Sequence, residues 1–141
     1  MDDIIKEKIS ADHLYYVSLK YTKTCDVIIN LIIRWRRMIE ISMERLISQA
    51  KKQKKWKPVN EAPRTKLIQL KKIYEKVPVV AEVLDTYEMF REIEKLDKVR
   101  ENEFRKGVNL RVKYKGEDVN INLDKLKEYS IKLEKFISYL K

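Results

Sequence analysis

The first glycine or proline in this chain is Pro58. Two glycines and three prolines are all that its 141 residues contain. All-β domains need many turns, and turns draw on those residues, so the scarcity points to long helices. The length suits one domain with a substantial core, spanning 1–141. Hydrophobic residues make up 44% and charged residues 38%, a balance that fits a globular chain with a heavily charged surface. The expected fold is all-α: a four-helix bundle with a long first helix and a small β-hairpin between the last two helices.

Hydrophobic spacing places the elements. Ser10 is a helix cap and Asp12 sits in the first turn, so the first helix is expected over about 11–55. Its stripe runs Leu14, Val17, Tyr21, Cys25, Ile28, Ile32, Trp35, Ile39, Leu46, Ala50, in three- and four-residue steps. At 1.5 Å per residue that helix is roughly 65 Å long, so it frays, projects or kinks. Ile29 and Ile33 widen the apolar face at its middle, which marks either the bundle centre or a homodimer interface.

"KKQKKWKPVNEAP" (51–63) reads as a basic interhelical linker, with Pro58 and Pro63 breaking helix and Asn60 capping the next one. The second helix is expected over about 61–76. Pro78 opens a third, over about 78–106, with Gly107 as its stop. Val108, Leu110, Val112 and Tyr114 alternate with polar residues, "KGED" turns, and Val119 and Ile121 repeat the alternation. That is a hairpin over 108–122. Asn122 then caps a last helix over about 123–140, with Leu126, Tyr129, Leu133, Phe136, Ile137 and Leu140 on one side.

Several chemistries lack their residues. His13 is the sole histidine and Cys25 the sole cysteine, so no zinc set and no internal disulfide is expected. No acidic cluster proposes a magnesium site, and no metal or cofactor is expected. Cys25 lies on the apolar stripe and reads as a structural thiol. Two isolated glycines form no phosphate-cradling loop, and no nucleophile turn of the Gly-x-Ser-x-Gly kind occurs. The most apolar run, "VIINLII", is far shorter than the roughly 20 residues of a membrane span. No signal peptide is visible, and a cytoplasmic location is the expectation. Abundant Lys, Glu and Ile match a bias reported for hyperthermophile proteins.

Charge is the strongest functional signal. The net charge is +10, and the segment Arg45–Lys76 holds eleven Lys or Arg against Glu61 and Glu75. It therefore carries +9 (11 − 2) of the +10. Charge so concentrated makes one basic region rather than a uniformly basic surface. Lys51, Lys52, Lys54, Lys55 and Lys57 surround Trp56. Such cations bind phosphates and release counterions, and an exposed Trp stacks on an unpaired base. The competing reading is a solvated helix end, with Trp56 packed back on the bundle.

A second motif lies at "RENEFRKGV" (100–108). Helices of this layout, followed by that stretch ahead of the last helix, resemble the HEPN superfamily of bacterial and archaeal four-helix bundles. Catalytic members carry Arg, then a polar residue such as Asn, then a His four to six residues on. They act as metal-independent ribonucleases, usually as dimers that pair two motifs. Arg100 with Asn102, or Arg105, matches the arginine end. The histidine position is departed from: Arg105 follows Arg100 and Arg111 follows Arg105. Arginine stays protonated, so it holds a phosphate but is a poor general base. The resemblance therefore implies a member that keeps phosphate binding and has lost catalysis. Ion pairs with Asp97, Glu101 or Glu103 on a helix surface are the competing reading.

Three functions follow, in order: a non-catalytic domain binding RNA, nucleotide or another polyanion; a protein-interaction module or homodimer through the first helix, docking an acidic partner; and a divergent ribonuclease. The first expects Arg100, Arg105 and Arg111 to face the same groove as the lysine segment.

Overall fold

Thr24 opens the longest helix of the computed structural model, which describes Met1–Lys141. Its hydroxyl accepts the Val27 N–H at 3.4 Å, satisfying a donor that a helix start leaves free. This cap corrects the expected single helix over 11–55. Helix α1 (Asp2–His13) starts well before Ser10, with Asp2 and Asp3 in its first turn. It continues through a π-helical turn (Leu14–Ser18) and a last turn (Leu19–Tyr21). The chain then reverses at Thr22–Thr24 into α2 (Cys25–Lys52), and α1 packs back on α2. The turn shifts the stripe: Val17 and Tyr21 face solvent, while Cys25, Ile28, Ile32, Trp35, Ile39, Leu46 and Ala50 are buried. Leu31 is buried as well, and Ile29 and Ile33 pack half-buried on the same core. The isoleucine-rich middle of α2 is covered within the chain.

Helix α3 (Pro63–Ile73) and helix α4 (Pro78–Glu92) each begin on a proline, whose missing N–H is no loss there. The third expected helix stops at Glu92 rather than 106, because Lys98–Glu101 forms strand β1. The β1 residues pair with β2 (Asn109–Tyr114), in the register Lys98↔Val112 to Glu101↔Asn109. The Lys98 ammonium donates to the carbonyls of Ile93, Glu94 and Leu96 at 2.8–3.1 Å and closes the end of α4. Gly107 therefore lies in the β1–β2 loop and ends no helix. Strand β3 (Glu117–Asn122) pairs with β2, in register Asn109↔Asn122 to Tyr114↔Glu117. Lys115 (φ 52°) and Gly116 (φ 79°) turn the chain with two positive φ values, the geometry of a tight two-residue hairpin turn. The sheet is antiparallel, three-stranded, in the order β1-β2-β3. Asn122 Oδ1 accepts the Lys125 N–H at 2.9 Å and starts α5 (Leu123–Leu140). The protein is mainly helical, with this small sheet packed on its helices.

One hydrophobic cluster runs from Ile4 to Leu140 and includes Val108, Leu110, Val112 and Ile121 of the sheet region. Its centre is aromatic. Trp35 stacks on Phe90 at 6.2 Å, and Tyr129 meets Phe90 edge-on at 5.0 Å and Trp35 at 6.3 Å. These rings tie α2, α4 and α5 together. Burial pushes the Tyr129 hydroxyl up from 10 to about 12. Burial, then the bond it donates to Glu40 at 2.8 Å, pushes Tyr87 up as well. A proton held longer in the folded state than in the unfolded one stabilises fully below the unfolded pKa, and that stabilisation is lost as pH rises through the folded pKa. Stability is therefore expected to fall between about pH 10 and pH 12, by about 2–3 kcal/mol from Tyr129 alone. Urea midpoints across that range check this; a flat profile would contradict it.

Candidate polyanion interfaces

The residues singled out in the sequence lie at two ends of α2. Arg100 reaches the second residue of that helix, with its guanidinium 2.8 Å from Asp26. Lys51 and Lys52 are its last two residues. A helix of 28 residues is roughly 42 Å long, so the arginines and the lysine segment share no groove.

At the lysine end, α2 closes in a two-bond C-terminal motif. The Lys55 N–H donates to the Ala50 carbonyl at 2.9 Å, and the Lys54 N–H to Lys51 at 3.0 Å. Lys54 takes the left-handed position (φ 58°) that glycine usually fills. The chain beyond is clasped rather than loose. Gln69 of α3 accepts the Lys57 N–H at 2.6 Å and donates back to the Lys57 carbonyl at 3.0 Å. Trp56 packs half-buried against the core, beside a small cavity lined by Glu44, Ile47, Val59 and Lys66. Its ring anchors the segment and is not free on both faces. Asn60 accepts the Ala62 N–H at 3.0 Å, a local turn ahead of α3.

Lys51, Lys52, Lys54, Lys55 and Lys57 all face solvent, and none lies within 4 Å of a carboxylate. Cations elsewhere on α2 behave otherwise. Arg34 and Arg37 reach Glu7, Arg36 reaches Glu94, and Arg45 donates twice to the Leu140 carbonyl. Lys66 is held between Glu44 and Glu61 at 3.0 and 2.9 Å, and those contacts, the Glu61 one foremost, raise its pKa. The basic character of 51–57 is therefore unspent charge on a fixed scaffold. Replacing Lys54 by glycine removes the left-handed strain and is expected to stabilise the protein by about 1 kcal/mol. That corresponds to a rise in Tm of roughly 3–5 °C, whereas Lys54→Ala should give none.

At the other end the arginines are mostly occupied. Arg100 lies in β1, paired with Asp26 and, at 3.6 Å, with Glu103. Arg111 lies in β2, with Glu101 at 3.7 Å. Arg105 faces solvent with no carboxylate within 4 Å. Asn102 (φ 53°) and Phe104 (φ 67°) sit in left-handed conformations in the β1–β2 loop. The motif "RENEFRKGV" is thus strand and loop, not a helix end. Cys25 is buried, with its thiol 3.4 Å from the Asn109 carbonyl, and burial pushes its pKa up. That is the setting of an unreactive thiol. No three His, Cys, Asp or Glu side chains gather as metal ligands. No helix is long and apolar enough to cross a membrane. Comparisons with family models, curated proteins and solved structures return no match.

Proposed function

We propose that this protein binds RNA or another polyanion, without cleaving it, through the lysines of 51–57. The observation that carries this reading is their condition: five exposed ammonium groups, none within 4 Å of a carboxylate, on a backbone fixed by Gln69 and by the α2 closing motif. A held backbone confines the ordering cost of phosphate binding to the lysine side chains, so more of the counterion-release gain becomes affinity than on a loose segment. The scaffold for this reading is a four-helix bundle of α1, α2, α4 and α5, with α3 bracing the lysine end.

The HEPN resemblance adds a lesser contribution. Arg100 and Arg111 are held by acids, which leaves Arg105 as the phosphate-holding arginine of that motif. No histidine stands beside it in the chain, so the proton-transfer group that catalytic members carry at this position is missing. The test follows a labelled, mixed-sequence RNA for binding and for cleavage in the same tubes. Retention of intact RNA is expected. Cleavage without metal, abolished by Arg100→Ala, would replace this reading with that of a ribonuclease.

A further inference from the structure

Two irregular backbones lie at the end of the molecule opposite the lysines. One is the π-helical turn Leu14–Ser18, a feature that recurs at functional sites. The other is the β1–β2 loop, where Asn102 and Phe104 hold left-handed conformations that cost a side-chain-bearing residue energy. The Phe104 N–H donates to the Lys23 carbonyl at 2.7 Å, which ties the loop to the end of the α1 segment. Three aromatic rings on these segments and on the turn Leu19–Tyr21 face outward. Tyr21 is 78% exposed, Phe104 74% and Tyr16 58%. Phe104 makes a backbone bond inward and offers its ring to solvent, which stabilises nothing in the free protein.

The chemistry around these rings selects their occupant. Tyr15, Tyr16, Leu19, Lys20, Lys23 and Leu123 line an open cavity of about 300 Å³. Leu123 also borders an adjoining cleft of about 460 Å³, walled by Asn102, Asn109, Asn120 and Asn122, with Lys106 and Asp124 at its edge. Lys20, Lys23, Arg105 and Lys106 have no carboxylate within 4 Å. Asn109 donates to Glu101 and to Asn120, and Asn122 caps α5, which leaves Asn102 and the amino groups of Asn120 and Asn122 open. Exposed rings beside cations free of carboxylate partners, next to these open amide groups, match the three parts of a nucleotide chain. Rings stack on bases, cations meet phosphates, and amides pair with base edges. An acidic peptide would use the cations and leave the exposed rings without a stacking partner. A duplex would hide the base faces that the rings need.

We infer that this end binds single-stranded nucleic acid by its unpaired bases, with Tyr16, Tyr21 and Phe104 as the stacking residues. The inference deepens the polyanion reading in the nature of the ligand and rests on different residues. The experiment maps amide chemical shifts of the full chain on titration with a single-stranded RNA trinucleotide, and with its abasic sugar-phosphate counterpart. Shifts at 16–23 and 102–109 are expected with the trinucleotide, and at least tenfold weaker binding there with the abasic trimer. Tyr16→Ala/Tyr21→Ala/Phe104→Ala should also weaken that response at least tenfold; these rings are on the surface, so the variant should keep its fold. Shifts confined to 51–57 would overturn this inference and leave the lysine reading standing. Equal binding of the abasic trimer would overturn base stacking. A response at 16–23 and 102–109 that persists when Lys51, Lys52, Lys54 and Lys55 are glutamine would sustain this site even if the lysine reading fails.

Discussion

Replacing Phe90 by alanine is expected to destabilise the protein by about 3–5 kcal/mol. Phe90 is fully buried, stacked on Trp35 and met edge-on by Tyr129, so its ring touches the helices on both sides of α4. Truncation removes the transfer energy of the ring and leaves a cavity that three separate helices border. They cannot all collapse into it, because α2 is also fixed to α1 and α3. A loss of this size is a large part of the 5–15 kcal/mol that a typical domain has in total. Urea denaturation with an unchanged m-value would read it directly. Ile68, which is exposed on α3, serves as the control: Ile68→Ala should move stability by less than about 0.5 kcal/mol. A small loss at Phe90 would mean that the aromatic centre is not the hub of the fold.

The second large effect is on binding. Changing Lys51, Lys52, Lys54 and Lys55 together to glutamine removes four of the five free cations while keeping a long polar side chain at each position and the helix propensity of the two in α2. On single strands each phosphate contact contributes about 0.7 to the slope of log affinity against log salt. The variant's slope should therefore be shallower by about 3, and at 0.1 M salt its affinity lower by about two to three orders of magnitude. Fold stability should barely change, because none of the four makes an ion pair. An unchanged slope would assign the polyanion contact to the other end of the molecule.

Hydrophobic spacing carried most of the core. The faces Val80, Val83, Leu84, Tyr87, Phe90 and Leu126, Tyr129, Leu133, Phe136, Ile137 are buried as their period requires. The break at Thr22–Thr24 left no glycine or proline to mark it. Its one local signal is Thr24 followed by Asp26, a cap and a first-turn acid inside a stripe that otherwise continues. Strand β1 was hidden for a different reason. "KVRE" has no two-residue alternation, and its burial runs half-buried, exposed, exposed, half-buried. Its pairing to β2 is tertiary, and local propensity does not record it.

The site was legible in part. Charge density located the five lysines, but nothing local showed that Gln69 would clasp Lys57 or that Trp56 would turn inward. Arg100 and Arg105 were expected on the surface of a helix ending near 106; strand and loop geometry instead pairs Arg100 with Asp26 and Arg111 with Glu101 and leaves Arg105 free of carboxylates. Nothing in the sequence groups Tyr16, Tyr21 and Phe104. Phe104 lies more than 80 residues from the two tyrosines in the chain, and the Phe104–Lys23 backbone bond ties its loop to their segment.

Polyanion contact through Lys51–Lys57 is tested most directly by the salt dependence of binding. A labelled, mixed-sequence single-stranded RNA would be titrated with the unaltered protein between 50 and 200 mM salt. Five lysine contacts predict a slope of about −3.5, or roughly a hundredfold loss of affinity over that range. Absence of binding at 50 mM, or affinity that does not change with salt, would contradict it.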